Sequence, residues 1–331
     1  MKSTIYHITL FILLTGCIET QSSKGYKKTS LDNYNPPEKD IDVDSNTVFS
    51  VFRTPLPAKK LSAEKQKSLN RKLEINKLRY TENPSDIQNV IEYCQTLSEL
   101  GWYYEAIRVY SEGLDKNPTS FKLLRLRGQS YITLRQFDLA LEDLQRAAFY
   151  SRPAINEQTS GYALTNFYTE SRSNEKFNIF FCLGMVNYLK GSYDKTISSF
   201  KQCMKYADNI ELKVFIIDWF YLTYRKLGNN EAAEELLMAI PRNAKVKSYS
   251  DHYNRILLYQ GVVKAHNLMA YSERPDNSLE PVLSYGVGTW YLVNGEKMKA
   301  VKIFERILMG ETWDSYEYIA AEVELKNLQP N

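Results

Sequence analysis

The pattern of apolar and polar residues from about residue 61 onward is that of amphipathic helices, with apolar positions three and four residues apart. No stretch shows the strict alternation that predicts a strand. The first helical stretch, 61–80, predicts a leading helix with Leu69, Leu73 and Leu78 facing inward. Beyond it, short turns with glycine recur at Gly101, Gly191, Gly228 and Gly295. The chain is therefore predicted to be all-α, with its helices arranged in pairs.

Three positions repeat together along these helices: a first residue, a second residue twelve places later, and a large residue four places beyond that. The five sets are Cys94, Ala106 and Tyr110; Gly128, Ala140 and Leu144; Gly184, Thr196 and Phe200; Tyr221, Ala233 and Leu237; and Gly288, Ala300 and Phe304. Small residues are needed where the two helices of a pair cross closely, and a large side chain fills the space beyond the crossing. Five such sets predict a repeat architecture, whereas one set would arise readily by chance.

This arrangement resembles the tetratricopeptide (TPR) repeat, a helix pair that often ends at a proline, as at Pro118 here. The resemblance implies a TPR-type right-handed α-solenoid of about five helix pairs plus a leading and a capping helix. The expected copies lie near 87–120, 121–153, 177–210, 214–247 and 281–312. The capping helix, 313–328, is expected to have a polar outer side, as the end of a solenoid requires.

Several segments are more specifically similar to a group of secreted bacterial TPR proteins. They include "IDWFYLTYRKLG", "YGVGTWYLVNGEKMKAVKIFERIL" and "YIAAEVELKNL", and the likeness extends over about residues 85–328. No activity is established for that group. The likeness therefore implies a fold and not a function.

Two places interrupt the repeat. An insertion at 154–176 separates the second and third copies and contains the aromatic residues Tyr162, Phe167 and Tyr168. It is either a functional loop that folds over the groove or a solvated connection on the surface. Between the fourth and fifth copies, the sequence predicts one clear helix, about 251–263, with a short or irregular partner.

The first residues, "MKSTIYHITLFILLTGC", carry one lysine followed by an apolar stretch of about ten residues. A helix that spans a bilayer needs about 20 such residues, so this stretch is interpreted as a secretory signal. The segment "LTGC" resembles the bacterial lipobox, which implies a lipoprotein signal peptide at 1–16 and lipidation of Cys17. The alternative is an ordinary signal peptide. Ile18 after the cysteine favours the outer membrane of a bacterial cell envelope, facing either the periplasm or the cell surface.

Residues 17–60 are predicted to be a lipidated and mostly disordered tether, because they are polar and lack periodicity. The exception is 48–57, "VFSVFRTPLP", whose apolar residues are expected to dock on the folded body or on a partner. The TPR solenoid domain is predicted to cover 61–331.

The overall charge argues against nucleic acid as a partner. The chain of 331 residues has 42 basic and 39 acidic residues, a formal net charge of +3, without a concentrated basic stretch. Its 25 tyrosines and only 14 glycines fit long helices that pack through amphipathic aromatic residues.

Candidate chemistry is sparse in this sequence. His252 and His266 lack neighbouring cysteines or acids at the spacing of metal ligands. Cys94, Cys182 and Cys203 lie on repeat helices and are predicted to be buried free thiols. The protein is therefore predicted not to be an enzyme and to need no metal or cofactor.

The remaining functional surface is the concave groove that first helices line in TPR proteins. Mapping the groove positions onto this sequence predicts a partner-binding set of Lys122, Arg125, Gln129, Phe181, Met185, Tyr188, Asp218, Trp219, Arg225 and Tyr285. Aromatic residues mixed with cations would suit an extended peptide and its carboxylates. The alternative is that several of these residues, Trp219 among them, are ordinary packing between repeats.

Two functional hypotheses follow. The first is a non-enzymatic cell-envelope lipoprotein that binds a protein or peptide partner, as a scaffold or accessory subunit of an outer-membrane assembly, secretion or transport complex. The second is a surface lipoprotein that binds a small ligand or glycan, since it resembles in outline the nutrient-capturing TPR lipoproteins of gut bacteria. Those proteins place large insertions on the solenoid, whereas the insertion at 154–176 is short.

Overall fold

The computed structural model describes residues 45–153 and 173–329. Predictions for the signal peptide at 1–16, for Cys17 and for the insertion residues Tyr162, Phe167 and Tyr168 fall outside these ranges. Within them the chain forms fourteen α-helices and no sheet, only two isolated β-bridges. The helices are α1 (Ala63–Glu82), α2 (Ile87–Glu99), α3 (Tyr103–Lys116), α4 (Phe121–Thr133), α5 (Phe137–Tyr150), α6 (Glu175–Leu189), α7 (Tyr193–Met204), α8 (Ile210–Lys226), α9 (Asn230–Met238), α10 (Ser250–Tyr259), α11 (Ala265–Ser272), α12 (Pro281–Val293), α13 (Lys297–Leu308) and α14 (Tyr316–Leu328).

The predicted all-α solenoid of the TPR type is confirmed. The pairs α2–α3, α4–α5, α6–α7, α8–α9 and α12–α13 coincide with the five expected copies, and α1 precedes them. The interruption between the fourth and fifth copies contains one helix of ten residues, α10, and a shorter helix, α11, that packs against α12. None of the helices in the described ranges is both long and apolar enough to cross a membrane.

The two helices of a pair begin in different ways. All five first helices of the pairs start at a capping side chain, such as Asn174, whose Oδ1 accepts a hydrogen bond from Phe177 N at 2.8 Å. The other four caps are Asp86, Ser120, Asn209 and Glu280. Second helices α3, α5, α7 and α13 have no such cap. Each of them begins directly after the tight turn that follows the first helix of its pair. Gly101 and Gly191 adopt positive φ in these turns, where glycine has no steric cost. Arg135 takes the corresponding place between α4 and α5, with φ 59°.

The repeated small and large residues meet as predicted at the helix crossings. A Cβ on Gly128 would lie 2.9 Å from Leu144, and one on Gly288 would lie 2.6 Å from the ring of Phe304. On Gly184 the added atom would overlap the ring of Phe200 outright. The glycines therefore set how closely the helices of each pair approach.

We expect Gly184→Ala to lower the free energy of unfolding by about 1–3 kcal/mol, even though alanine is the better helix former. The buried Phe200 ring cannot move away without disturbing the core around it. Urea denaturation of Gly184→Ala and of the double variant Gly184→Ala/Phe200→Leu measures the effect. The smaller leucine side chain should recover part of the loss, and a Gly184→Ala protein as stable as wild type would contradict the close crossing.

The N-terminal boundary of the folded body lies earlier than predicted. Residues 47–60, here called the N-terminal strap, are packed against the helices, with Val48 3% and Leu56 6% exposed. Leu56 N donates a hydrogen bond to Val48 O at 2.8 Å, which closes a small turn within the strap. The predicted tether of 17–60 is therefore too long at its C-terminal end, and the expected docking of 48–57 takes place on the chain's own body.

Helix α14 is not the amphipathic cap that the sequence predicts. Nine of its thirteen residues are buried, among them Glu317, Glu322 and Glu324. It contacts α13, α12 and α6, so it leaves the end of the solenoid and turns back along it. The predicted polar outer side is wrong, because these carboxylates have partners on several sides of the helix.

A candidate partner-binding site on the concave face

First helices form the inner side of the solenoid. Neighbouring first helices contact each other: α2 contacts α4, and α4 contacts α6. In the second half, α8 contacts α10 and α12, and α10 also contacts α12. Helix α14 lies on this inner side. Its side chains contact residues of α6, α8, α10 and α12, each described below. We call the surface of these four helices that α14 covers the concave channel.

The floor of the concave channel is aromatic and buried. Phe181 packs edge-on against Tyr316 of α14, with ring centroids 5.5 Å apart. Trp219 lies between Tyr188 and Tyr285, at 5.5 and 5.4 Å, and its side chain is fully buried. These contacts join three first helices to one another and to α14.

A cluster of charged side chains lies at the N-terminal end of α14. Arg255 is fully buried, and its Nε lies 3.0 Å from Asp218 Oδ1, while its Nη1 lies 3.8 Å from Glu317 Oε1. His252 Nδ1 donates to Asp218 Oδ2 at 2.7 Å, and Tyr259 donates to the other oxygen at 3.0 Å. His252, for which the sequence predicts no metal-binding role, thus serves to hold a carboxylate inside the fold.

A glycine makes room for this arginine. The side chain of Arg255 passes so close to Gly286 that a Cβ there would overlap it. Burial alone would lower the pKa of Arg255, but the nearby Asp218 carboxylate more than offsets it, so the pKa is raised and the guanidinium stays charged.

A second ion pair lies near the C-terminal end of α14. Lys226 Nζ is 2.5 Å from Glu324 Oε1, and both side chains are 7% exposed. Burial lowers the pKa of Lys226, but the Glu324 carboxylate more than compensates, so its pKa lies above the usual value. Tyr285 also approaches Glu324 at 3.4 Å, and its hydroxyl lies 2.7 Å from that of Tyr188.

The third acidic residue of α14 joins the helix to two distant parts of the chain. Arg135 donates to both oxygens of Glu322, at 3.0 and 2.8 Å, and to the carbonyl of Trp313 at 2.8 Å. The strap reaches the same carboxylate, because Val51 N donates to Glu322 Oε2 at 3.3 Å.

Three further contacts hold the strap beside α14. Trp313 Nε1 donates to Pro57 O at 2.8 Å, and Lys59 forms an ion pair of 2.7 Å with Asp314. Lys326 of α14 donates to Val51 O at 3.2 Å. The strap, the residues that lead into α14, and α14 itself therefore form one connected structure.

These contacts correct the accessibility expected for the predicted groove set. Seven of its members are buried, Arg125 among them. The other six line or support the concave channel beneath α14 instead of a free surface: Phe181, Met185, Tyr188, Asp218, Trp219 and Tyr285. Phe181 and Tyr285 contact α14, whereas Tyr188 and Trp219 are buried by packing between first helices, as the alternative of ordinary packing between repeats describes. Whether any of them binds another molecule remains a prediction.

Arg225 lies apart from this channel. It donates to the hydroxyl of Tyr221 at 2.7 Å and to Asn294 Oδ1 at 2.8 Å, at the ends of α8 and α12. These bonds place Arg225 between the fourth and fifth repeats, so the alternative of ordinary packing between repeats describes its position.

Three cations that pair with α14 are missing from the predicted set: Arg135, Lys226 and Arg255. The signal in the sequence was α14 itself, where three glutamates alternate with aromatic and apolar residues instead of sharing one face. A helix with acids on more than one side and little else that is polar needs cationic partners around it.

The inner face remains open near the N-terminal end of the solenoid. This open groove has a volume of about 670 Å³ and is lined by residues of α1, α2, α4 and the first turn of α6. Lys122 and Arg125 of the predicted set lie in it, and Gln129 accepts a hydrogen bond from Arg125 at 3.3 Å. This part of the predicted site is therefore brought together at one surface.

The open groove carries a surplus of positive charge. Its basic residues are Arg71, Lys72, Arg79, Lys122 and Arg125, and its acidic residues are Glu92 and Glu175. Arg125 and Glu175 are paired to each other and buried, while Arg79 lies 3.2 Å from Glu92 at the exposed rim. Lys72 pairs with Glu99 of α2 at 3.1 Å, and basic residues still outnumber acidic ones among the side chains that line the groove.

The cysteines show no sign of reactivity in the described ranges. Cys94, Cys182 and Cys203 are free and buried, as predicted. Burial raises the pKa of the Cys182 thiol to about 11, so it is protonated at neutral pH. No cluster of three or more metal-ligating side chains occurs within residues 45–153 and 173–329.

One curated protein is similar to part of this chain. No family model matches the sequence. The chain is similar to the BBSome complex member BBS4 of Bos taurus, with 28% identity over 156 residues, which are 47% of this chain and 25% of that protein. It therefore spans about a quarter of the length of that curated relative.

The solved structures that resemble this chain include TPR proteins. YrrB, described as a TPR protein with an unusual peptide-binding site, matches with a TM-score of 0.42 and 12% identity over 77% of this chain and all of YrrB. MamA matches with a TM-score of 0.41 and 13% identity over 60% of this chain and 92% of MamA. A TPR protein from Parabacteroides merdae matches with a TM-score of 0.42 and 15% identity, over 78% and 79% of the two chains.

Proposed function

We propose that the protein is a non-enzymatic interaction module whose open groove binds an acidic segment of a partner protein. The observation that carries this proposal is the composition of the groove lining, in which five basic residues accompany two acidic ones. A further acid, Glu99, pairs with Lys72, and basic side chains remain in excess. Arginine and lysine side chains on a concave surface bind carboxylates through charge-assisted hydrogen bonds.

The shape of the groove supports a peptide rather than a single ion. A volume of about 670 Å³ accommodates several residues of an extended chain. Ile75 lines the groove and is 47% exposed, so it offers an apolar contact beside the cations. Peptide recognition of this kind combines a few apolar contacts with charges that fix the register.

Charge reversal in the groove tests this proposal. We expect Arg71→Glu/Lys122→Glu to weaken binding of a fluorescent oligoglutamate peptide at least tenfold, about 1.4 kcal/mol, because two attractions become repulsions. Anisotropy titrations of the full chain at low and physiological salt measure the effect, which should shrink as salt rises.

The matched control is Lys195→Glu/Lys201→Glu, which changes the same net charge on the exposed side of α7. The affinity of this control variant for the peptide should lie within about twofold of the wild-type affinity, because salt screens charges that are far from the groove. Capture from detergent-solubilised membranes, with wild type and both double variants, extends the test to natural partners. Equal peptide binding by all three proteins would overturn the proposal.

We further propose that the module acts in a bacterial cell envelope, where it is anchored through lipid on Cys17 as a scaffold or accessory subunit of a membrane complex. The lipobox-like "LTGC" supports this anchor. A lipidated cysteine carries more than one acyl chain, which suffices for stable membrane attachment. Residues 18–46 would then separate the anchor from the strap.

Replacing Cys17 tests the anchor. We expect wild type expressed in a Gram-negative host to incorporate labelled palmitate and to sediment with membranes, and Cys17→Ser to do neither. Cys182→Ser serves as the control, since that thiol is buried in the folded body. Palmitate incorporation by Cys17→Ser equal to that of wild type would exclude this anchor.

A further inference from the structure

Helix α14 contacts the solenoid in the way that a bound ligand contacts its receptor. Each of its three buried glutamates meets a cation from a different part of the body: Glu317 meets Arg255 of α10, Glu322 meets Arg135 between α4 and α5, and Glu324 meets Lys226 of α8. Tyr316 adds a contact with α6, where its hydroxyl lies 3.4 Å from Cys182 Sγ. The contacts thus come from the second, third and fourth repeats and from α10, in addition to those with the adjacent pair α12 and α13.

A helix that only caps the solenoid would not need these buried ion pairs. Burying carboxylates and cations costs desolvation energy that their attraction only partly returns, and well-packed apolar residues usually stabilise a core as much or more. Such pairs do, however, confer specificity, because a helix without acids at these places would leave Arg135, Lys226 and Arg255 buried and unpaired.

The connection of α14 also suits a replaceable element. The helix is the last one of the described chain and follows α13 through a single loop, Met309–Ser315. No other element of the described ranges has to thread around it when it leaves. The strap lies beside it and holds it through Val51 and Pro57.

We propose that the concave channel is a second binding site, distinct from the open groove, which takes an acidic helix of a partner protein when α14 leaves. Charge complementarity defines the partner. Its helix presents carboxylates at the spacing of Glu317, Glu322 and Glu324, with an aromatic residue directly before the first. The strap acts as the clamp that keeps α14 in place.

Cutting the loop before α14 in the folded full-length protein tests this proposal. A protease site inserted between Glu311 and Thr312, of which Glu311 is exposed, allows α14 to be severed after folding. The probe is a fluorescent peptide of residues 314–329. The matched control peptide carries Glu317→Gln, Glu322→Gln and Glu324→Gln, so it keeps the length and apolar residues but loses the charges.

We expect the cut protein to remain folded and to exchange its severed helix for the fluorescent peptide. The control peptide should bind at least tenfold more weakly. Uncut protein should bind neither peptide at the same concentrations, since α14 is held at high effective concentration.

Three results would overturn the proposal. If the cut protein unfolds or never exchanges, α14 is an integral part of the core. If both peptides bind equally, the channel has no preference for acids. If the uncut chain forms dimers by exchanging α14, the channel belongs to a second copy of this chain. Arg71→Glu/Lys122→Glu should leave the exchange unchanged, which separates this site from the open groove.

Discussion

Arg255→Met is expected to lower the free energy of unfolding by about 3–5 kcal/mol, because it leaves two buried carboxylates without their cation. Methionine nearly fills the space of the arginine side chain, so the loss reports on charge and not on a cavity. Asp218 keeps His252 and Tyr259 as partners, but Glu317 retains only a distant His252 Nε2 at 3.9 Å. Urea denaturation followed by circular dichroism measures the change.

The control for this prediction is Arg108→Met on α3. Arg108 is half-exposed and forms surface ion pairs with Glu105 and Glu112, which contribute about 0–1 kcal/mol. The double variant Arg255→Met/Asp218→Asn should be less destabilised than the sum of the single variants, since the two residues act as one unit. An Arg255→Met protein as stable as Arg108→Met would show that the cluster is not held together by its charges.

The helix pairs could be predicted from the sequence because they depend on neighbours in the chain. Gly184 and Phe200 are sixteen residues apart, and their packing is decided within one pair. The same relation recurs in each copy, so the pattern reinforces itself. The short α11 was also anticipated, since the repeat signature is absent there.

The occupant of the concave face could not be predicted in the same way. Glu322 is 187 residues from Arg135 and 271 residues from Val51, and no repeat pattern relates these positions. The mapping of groove positions did find residues that face the channel, such as Tyr285. The sequence predicts 313–328 to be a capping helix, because the residues of a helix do not show in which direction it turns after the preceding repeat.

The polar residues at inner positions divide the concave face into two parts. In the channel, Arg255 and Lys226 are matched by acids of α14 and are buried. In the open groove, the basic residues outnumber the acids. Basic residues therefore occur along the whole inner face, and those of the channel are paired with acids of α14.

Arg135→Met is expected to release α14 and the strap together. The guanidinium joins Glu322 to the carbonyl of Trp313, and both side chains of the ion pair are almost fully buried. Loss of the ion pair should lower the free energy of local opening of α14 and the strap by about 3 kcal/mol. This corresponds to a roughly hundredfold larger fraction of molecules in which these two elements are open. Hydrogen exchange followed by mass spectrometry should show this increase in the amides of Tyr316–Leu328 and of 47–60.

Arg53→Met is the matched control, because Arg53 is also an arginine at positive φ, here 62°, but is exposed in the strap. It should leave exchange in α14 within about twofold of wild type, since surface side chains of this kind contribute little. If Arg135→Met accelerates exchange equally in all helices, α14 opens only with the whole protein. Selective acceleration in α14 and the strap would instead show that these two elements form one unit that opens while the helix pairs stay folded, which is the property that a replaceable helix requires.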